Sequence, residues 1–185
     1  STVVGGDPLG EAGTDVAIIA QGNSTVGTVQ GSNVTLSTGD TLTINGPVLG
    51  TTTVTIDPVD IFINANVTSG GALEINADND INIADGVVIQ SAGNLSLEAG
   101  TNVDAAATSS LQAGSDAQNP TGAVTVIADT GNLTVGQVSG TDVSLVAGED
   151  PNCEDCENPG AGGDLTINGA VLGTYGETTV LCTAV

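Results

Sequence analysis

The sequence predicts an all-β chain wound into one parallel β-helix, a β-solenoid of roughly eight coils of about 20 residues each. Three observations carry this: short apolar-polar alternations recur at a nearly fixed period, bulky core residues are almost absent, and turn-forming residues are abundant. Of 185 residues, 39% are hydrophobic, which suits a single domain over residues 1–185. Only Phe62 and Tyr175 are aromatic, and Met and Trp are missing, so a compact globule would lack the side chains that fill its centre. Val, Ile, Leu and Ala must build the core instead. The 27 glycines, with frequent Thr, Asn and Asp, favour extended strands broken by tight turns.

The first set of alternating segments begins inward at Val16, Val34, Val54, Leu73, Leu95, Val124 and Val143, at spacings of 18, 20, 19, 22, 29 and 19. A second set lies between them, starting at Leu42, Ile61, Ile81, Leu133 and Leu165. An alternating strand buries one face only, and 20 residues cannot bury that face alone, so successive coils must stack. Stacking pairs each strand in parallel with its copy about 4.8 Å away, giving a rod of about 40 Å. The expected inward residues are Val34, Leu36, Leu42, Ile44, Val54, Ile56, Leu73, Ile75, Ile81, Ile83, Leu95, Leu97, Leu133, Val135, Val143, Leu145, Leu165 and Ile167. Asn45-Gly46 and Asn168-Gly169 mark corners. A β-sandwich also offers many short strands, but it requires no near-identical segments at a coil period.

Two insertions interrupt the period. The interval of 29 places one near residues 105–120, where Ala107-Thr-Ser-Ser and the run from Gly114 to Pro120 read as an excursion from one coil. Residues 42–51 and 165–174 differ at one position in ten, at an offset of 123, whereas Val34-Thr-Leu and Val143-Ser-Leu stand 109 apart. The difference, 14 residues, fixes a second insertion at about 149–162. It holds Cys153 and Cys156. Counting on from Val143 to Val180, 37 residues, places Cys182 one coil above Leu145.

Coils such as Gly93-Asn-Leu-Ser-Leu-Glu-Ala-Gly100, Gly131-Asn-Leu-Thr-Val and Gly163-Asp-Leu-Thr-Ile-Asn-Gly169 resemble those of the filamentous-haemagglutinin-like, haemagglutinin-repeat exoproteins of bacteria. The resemblance runs from about Thr14 to Thr174 and specifies coil type. It implies a right-handed parallel β-helix, export to the cell surface, and roles in adhesion or surface fibres.

Lys, Arg and His are all absent and 22 residues are acidic, a formal charge of −22. Nucleic acid and anionic membrane surfaces are thereby excluded as partners, because both need cations on the protein. No apolar run is long enough to insert into a membrane. Enzyme chemistry loses its His base, Lys nucleophile and Arg clamp, so the chain is read as no enzyme. A β-helical polysaccharide lyase or hydrolase is the weakest functional class for this reason, and no carboxylate pair stands out for glycoside hydrolysis.

The segment 149–158 packs five carboxylates and two thiols. Acidic neighbours raise thiol pKa values, which argues against redox activity, and a zinc site would lack His and a second Cys pair. A structural disulfide among Cys153, Cys156 and Cys182 is expected, either within the Cys-x-x-Cys or from Cys182 to one of its members. Asp78, Asp80 and Asp85 form a loose calcium-ligand pattern without the frame of a β-roll or EF-hand; no other cofactor is indicated. Asn23, Asn33, Asn66, Asn94 and Asn132 head Asn-x-Ser/Thr sequons and are candidate glycosylation sites.

Beginning at Ser1 rather than Met, the chain reads as an extracellular or cell-surface product from which an export signal has been removed. Strand-like residues at both termini, with no amphipathic cap, predict head-to-tail self-association into an extracellular structural filament. The alternative is an adhesin passenger or fragment that binds a cell-surface ligand through the two projecting loops.

Overall fold

Period-two segments bury every second residue against the rod's interior, and the corners between them turn on Gly, Asn, Asp and Ser. The structure, a computed structural model, describes residues 3–4, 13–115, 117–148, 163–174 and 178–182. Among these it is a parallel β-solenoid of about seven turns, with strands and turns and no helix.

Each coil has three sides. Side A carries β1 (Val3–Val4), the starts of β4 (Val29–Ile44) and β5 (Val48–Ile63), then β6 (Val67–Ser69), β9 (Val88–Ser91), β12 (Ser110–Ala113), β15 (Gln137–Gly140) and β18 (Val171–Gly173). Side B carries β2 (Val16–Ala20), the middles of β4 and β5, β7 (Leu73–Ala77), β10 (Leu95–Ala99), β13 (Val124–Ala128), β16 (Val143–Ala147) and β19 (Thr178–Cys182). Side C carries β3 (Ser24–Val26), the ends of β4 and β5, β8 (Ile81–Ile83), β11 (Val103–Ala105), β14 (Leu133–Val135) and β17 (Leu165–Ile167). All the pairings are parallel and join one coil to the next.

Register turns the interior into aliphatic ladders. On side A, Val3, Val29, Val48, Val67, Ile89, Leu111, Val138 and Val171 stand in line. On side B, Val16, Val34, Val54, Leu73, Leu95, Val124, Val143 and Thr178 do the same. Side C aligns Ser24, Leu42, Ile61, Ile81, Val103, Leu133 and Leu165. Sixteen of the eighteen expected inward residues are buried; Leu165 is half-buried and Ile167 exposed, because β17 is the last strand of side C among the described residues.

The side A strands are a third set that the alternation did not reveal. Each offers one large inward residue and then a small one: Gly31, Gly50, Ser69, Ser91 and Ala113 follow one another in register. The coil turns so tightly beyond this point that larger side chains would not fit. Where the small residue is Ser, its hydroxyl donates to a corner carbonyl, Ser69 Oγ to Ala72 O and Ser91 Oγ to Gly93 O, both at 2.7 Å.

Two expected boundaries move. Residues 105–113 belong to the regular coil: Ala106 and Ser109 form the same corner as Ala84 and Val87 one coil earlier, and β12 pairs with β9. The excursion is confined to residues 114–122, between Ala113 and Val124, and the Ala113 carbonyl accepts from both Thr121 N and Gly122 N at its base. The sequence hid β12 because Leu111 is its only large apolar residue. Second, the residue in register with Val143 is Thr178, so Val180 sits over Leu145 and Cys182 over Ala147. A Thr at the inward position broke the apolar pattern there and shifted the count by two. The insertion at 149–162 lies outside the described residues; side B ends at Ala147 before it and side C resumes at Leu165 after it.

Joining Gly148 directly to Gly163 leaves Leu165 four residues after Ala147, the same step as from Ala99 to Val103. The shortened chain is expected to keep its β circular dichroism and its thermal transition; loss of either would show that the segment is part of the fold. Gly70→Ala should lower stability by about 1–3 kcal/mol, because the added Cβ runs into the Thr51 carbonyl oxygen of the coil beneath. Gly22→Ala, with no atom within 4 Å of the added Cβ, should change it by less than about 0.5 kcal/mol. Denaturant midpoints of the two variants provide the comparison.

Candidate functional site

At many corners a polar residue just ahead of a strand caps the coil above. Ahead of side C the column reads Asn23, Thr41, Asp60, Asp80, Asn102, Asn132 and Asp164. Asn23 Oδ1 accepts from Thr41 N at 3.2 Å, Asp60 Oδ1 from Asp80 N at 3.3 Å, and Asp80 Oδ1 from both Asn102 N and Asn102 Nδ2 at 3.1 and 2.9 Å. Asn102 Oδ1 then accepts from Asn132 N at 2.9 Å, and Asn132 Oδ1 from Asp164 N at 2.8 Å. The column ahead of side B repeats the device: Asp15 Oδ1 accepts from Asn33 N and Nδ2, and Asn94 Oδ1 from Ala123 N. Each such bond satisfies a backbone donor that the bend takes out of the strand ladder.

These caps account for several sequence candidates. All five sequon asparagines are corner residues: Asn23, Asn94 and Asn132 cap as above, Asn66 Oδ1 accepts from Val88 N, and Asn33 Oδ1 accepts from Thr53 Oγ1. The residue after each faces inward and the next faces out, so a corner Asn before a Thr- or Ser-rich outer position spells a sequon automatically. Of the calcium candidates, Asp80 is committed to Asn102, Asp85 Oδ1 accepts from Thr108 Oγ1 at 3.1 Å on a different corner, and Asp78 is exposed. Among the described residues no three His, Cys, Asp or Glu side chains gather as a metal-binding group. Cys153 and Cys156 lie outside the described residues, and β19 holds Cys182 in register with Ala147.

Side C presents two shallow depressions, of about 310 and 230 Å³, that share Asn82 and Asp104. Phe62 lies half exposed at the edge of the smaller one, and Asn102, Asn132 and Thr134 line the larger. Phe62 stands in the register shared by Thr43 and Asn82 on this side.

The last coil differs from the others in what covers it. Residues 42–51 and their near-copy 165–174 give an internal comparison. Their outward leucines match, Leu49 at 37% and Leu172 at 40% exposed, whereas Ile44 is fully buried and its counterpart Ile167 is 39% exposed. The interior copy has Ile61–Ile63 and Val67–Ser69 stacked above it. On side B, Val180 is 46% exposed directly over fully buried Leu145. An apolar ladder thus runs the length of the rod and surfaces at this edge.

No family model, curated protein or solved structure matches the chain. The parallel solenoid is established by its own register.

Asn102→Ala removes one donor to Asp80 and one cap for Asn132 N, and should cost about 1–2 kcal/mol. Asn168→Ala, at the exposed corner of the last coil, should cost less than about 0.5 kcal/mol. Equal melting temperatures for the two variants would show that the corner caps add nothing.

Proposed function

We propose that the protein is a non-enzymatic, extracellular structural protein, the subunit of a surface or matrix filament built by head-to-tail stacking of solenoids. The observation that carries this is Val180, a ladder residue 46% exposed over a buried Leu145. An edge of this kind offers a row of backbone donors and acceptors together with apolar surface, which is the combination that recruits further strands. A parallel solenoid has the same strand direction at both ends, so copies add without inversion and the contact propagates rather than closing. The likeness of its coils to haemagglutinin-repeat exoproteins supports the extracellular setting. So does a surface of Thr, Asn, Asp and Glu with no Lys, Arg or His, which leaves phosphate and nucleic acid without a partner.

Stacking must overcome repulsion between subunits that each carry −22. Salt screens such repulsion beyond about 10 Å at 0.1 M and more closely at higher ionic strength. Polymer mass should therefore rise with sodium chloride concentration, as followed by light scattering and electron microscopy. A chain that stays monomeric at every salt and calcium concentration would overturn the filament reading in favour of an adhesin rod that binds a cell-surface ligand.

A further inference from the structure

The filament reading leaves open which surfaces meet and in what register. Side B answers this through an outward-facing column next to its buried ladders. That column holds Ile19, Ser37 and Asp57 in register in the first three coils, and then, again in register, Asn76, Glu98, half-buried Ile127, Val146 at 8% exposed, and the position of Leu181. It is polar along the middle of the rod and aliphatic at both ends. Ile19 is the most exposed large apolar residue described, at 76%, and it lies on the first coil. Among the described residues nothing covers it.

We infer that β2 of a second copy seats on β19 in continued parallel register, with half-buried Ile18 over exposed Val180 and Ile19 at the next place of the column that holds Ile127 and Val146. This rests on the filament reading and specifies its joint. Continuing the count by one coil sets Val16 over Thr178, Ala17 over Thr179, Ile18 over Val180, Ile19 over Leu181 and Ala20 over Cys182. Five residues meet five, as in the internal pairings of β10 with β13 and β13 with β16. The buried ladder is continuous through the joint as well. Ile18 is half-buried, although Leu36, the next residue of its ladder, is fully buried, and it meets the exposed Val180. On side A the same step brings Val3 over Val171, extending the line that already runs from one to the other. Among the described residues side C has seven strands where the others have eight.

A joint between identical copies explains why the two ends share an apolar outer position that the middle lacks. An unrelated partner at one end would give no reason for Ile19 at the other.

Because Ile19 is exposed in the single copy, Ile19→Glu should leave the melting temperature of the monomer unchanged. It should raise the concentration at half-assembly by about tenfold or more, the effect expected from placing a charge where an aliphatic side chain is buried. Phe62→Glu, which adds the same charge to an exposed apolar site in mid-rod, should leave that concentration within about twofold.

Register is tested by mixing a chain carrying Ala17→Cys with one carrying Thr179→Cys under mild oxidation. Both positions face outward, and neighbouring strands about 4.8 Å apart fall within the Cα separation of a disulfide. A disulfide between the two introduced thiols, identified by mass spectrometry after pepsin digestion, is the expected result. Polymer that forms with no such link and at an unchanged concentration with Ile19→Glu overturns this joint and leaves the filament standing. The absence of both polymer and link under every condition overturns the two together.

Discussion

In-register stacking of parallel coils is the contact on which everything else in this protein depends. A single coil has no interior of its own; its inward Val, Leu and Ile side chains are buried by the coils above and below as much as by the opposite sides. With hardly any aromatic residues, the core gains its density from β-branched and Leu side chains repeated at one height after another. The requirement is strict in one direction only. Along the axis each ladder position must be aliphatic or small, while around the perimeter a corner can extrude residues 114–122 without disturbing the strands on either side.

The same geometry explains the unusual composition. A rod of this kind has a large lateral surface, and here that surface carries Thr, Asn, Ser, Asp and Glu in columns spaced one strand apart. Carboxylates and amides share the corner columns because both supply the oxygen that caps a backbone donor. Asn between Asp residues, as Asn102 and Asn132 stand between Asp80 and Asp164, also spaces like charges that would otherwise repel at neighbouring heights. Side-chain ion pairs are impossible without a basic side chain, and the caps take over the task of fixing coil to coil at the perimeter.

Sides B and C were legible in the sequence because their strands alternate over three to five residues with large aliphatics inside. Side A was not, since its strands present a single large residue each, as in Val48 and Leu111, followed by Gly, Ser or Ala. Period-two reasoning needs two inward residues to register a strand. The insertion boundary near residue 105 failed for the same reason, and the last coil was miscounted because Thr178 occupies a place held elsewhere by Val or Leu. The corner asparagines were visible as sequons and the corner aspartates as calcium candidates. Their common role as caps became evident only when residues 18 to 32 apart in sequence were seen to be neighbours. Ile19 passed unnoticed in the sequence because an isolated outward isoleucine has meaning only beside the column to which it belongs.

The Asn and Asp caps point the same way: the accepting oxygen belongs to the earlier coil and the backbone donor to the later one, from Asp15 and Asn33 through to Asn132 and Asp164. A chain that emerges N-terminus first, from a ribosome or an export pore, therefore finds the acceptors for each new coil already in position on the coil before it. Each turn thus offers the next the oxygens that its corner backbone donors require.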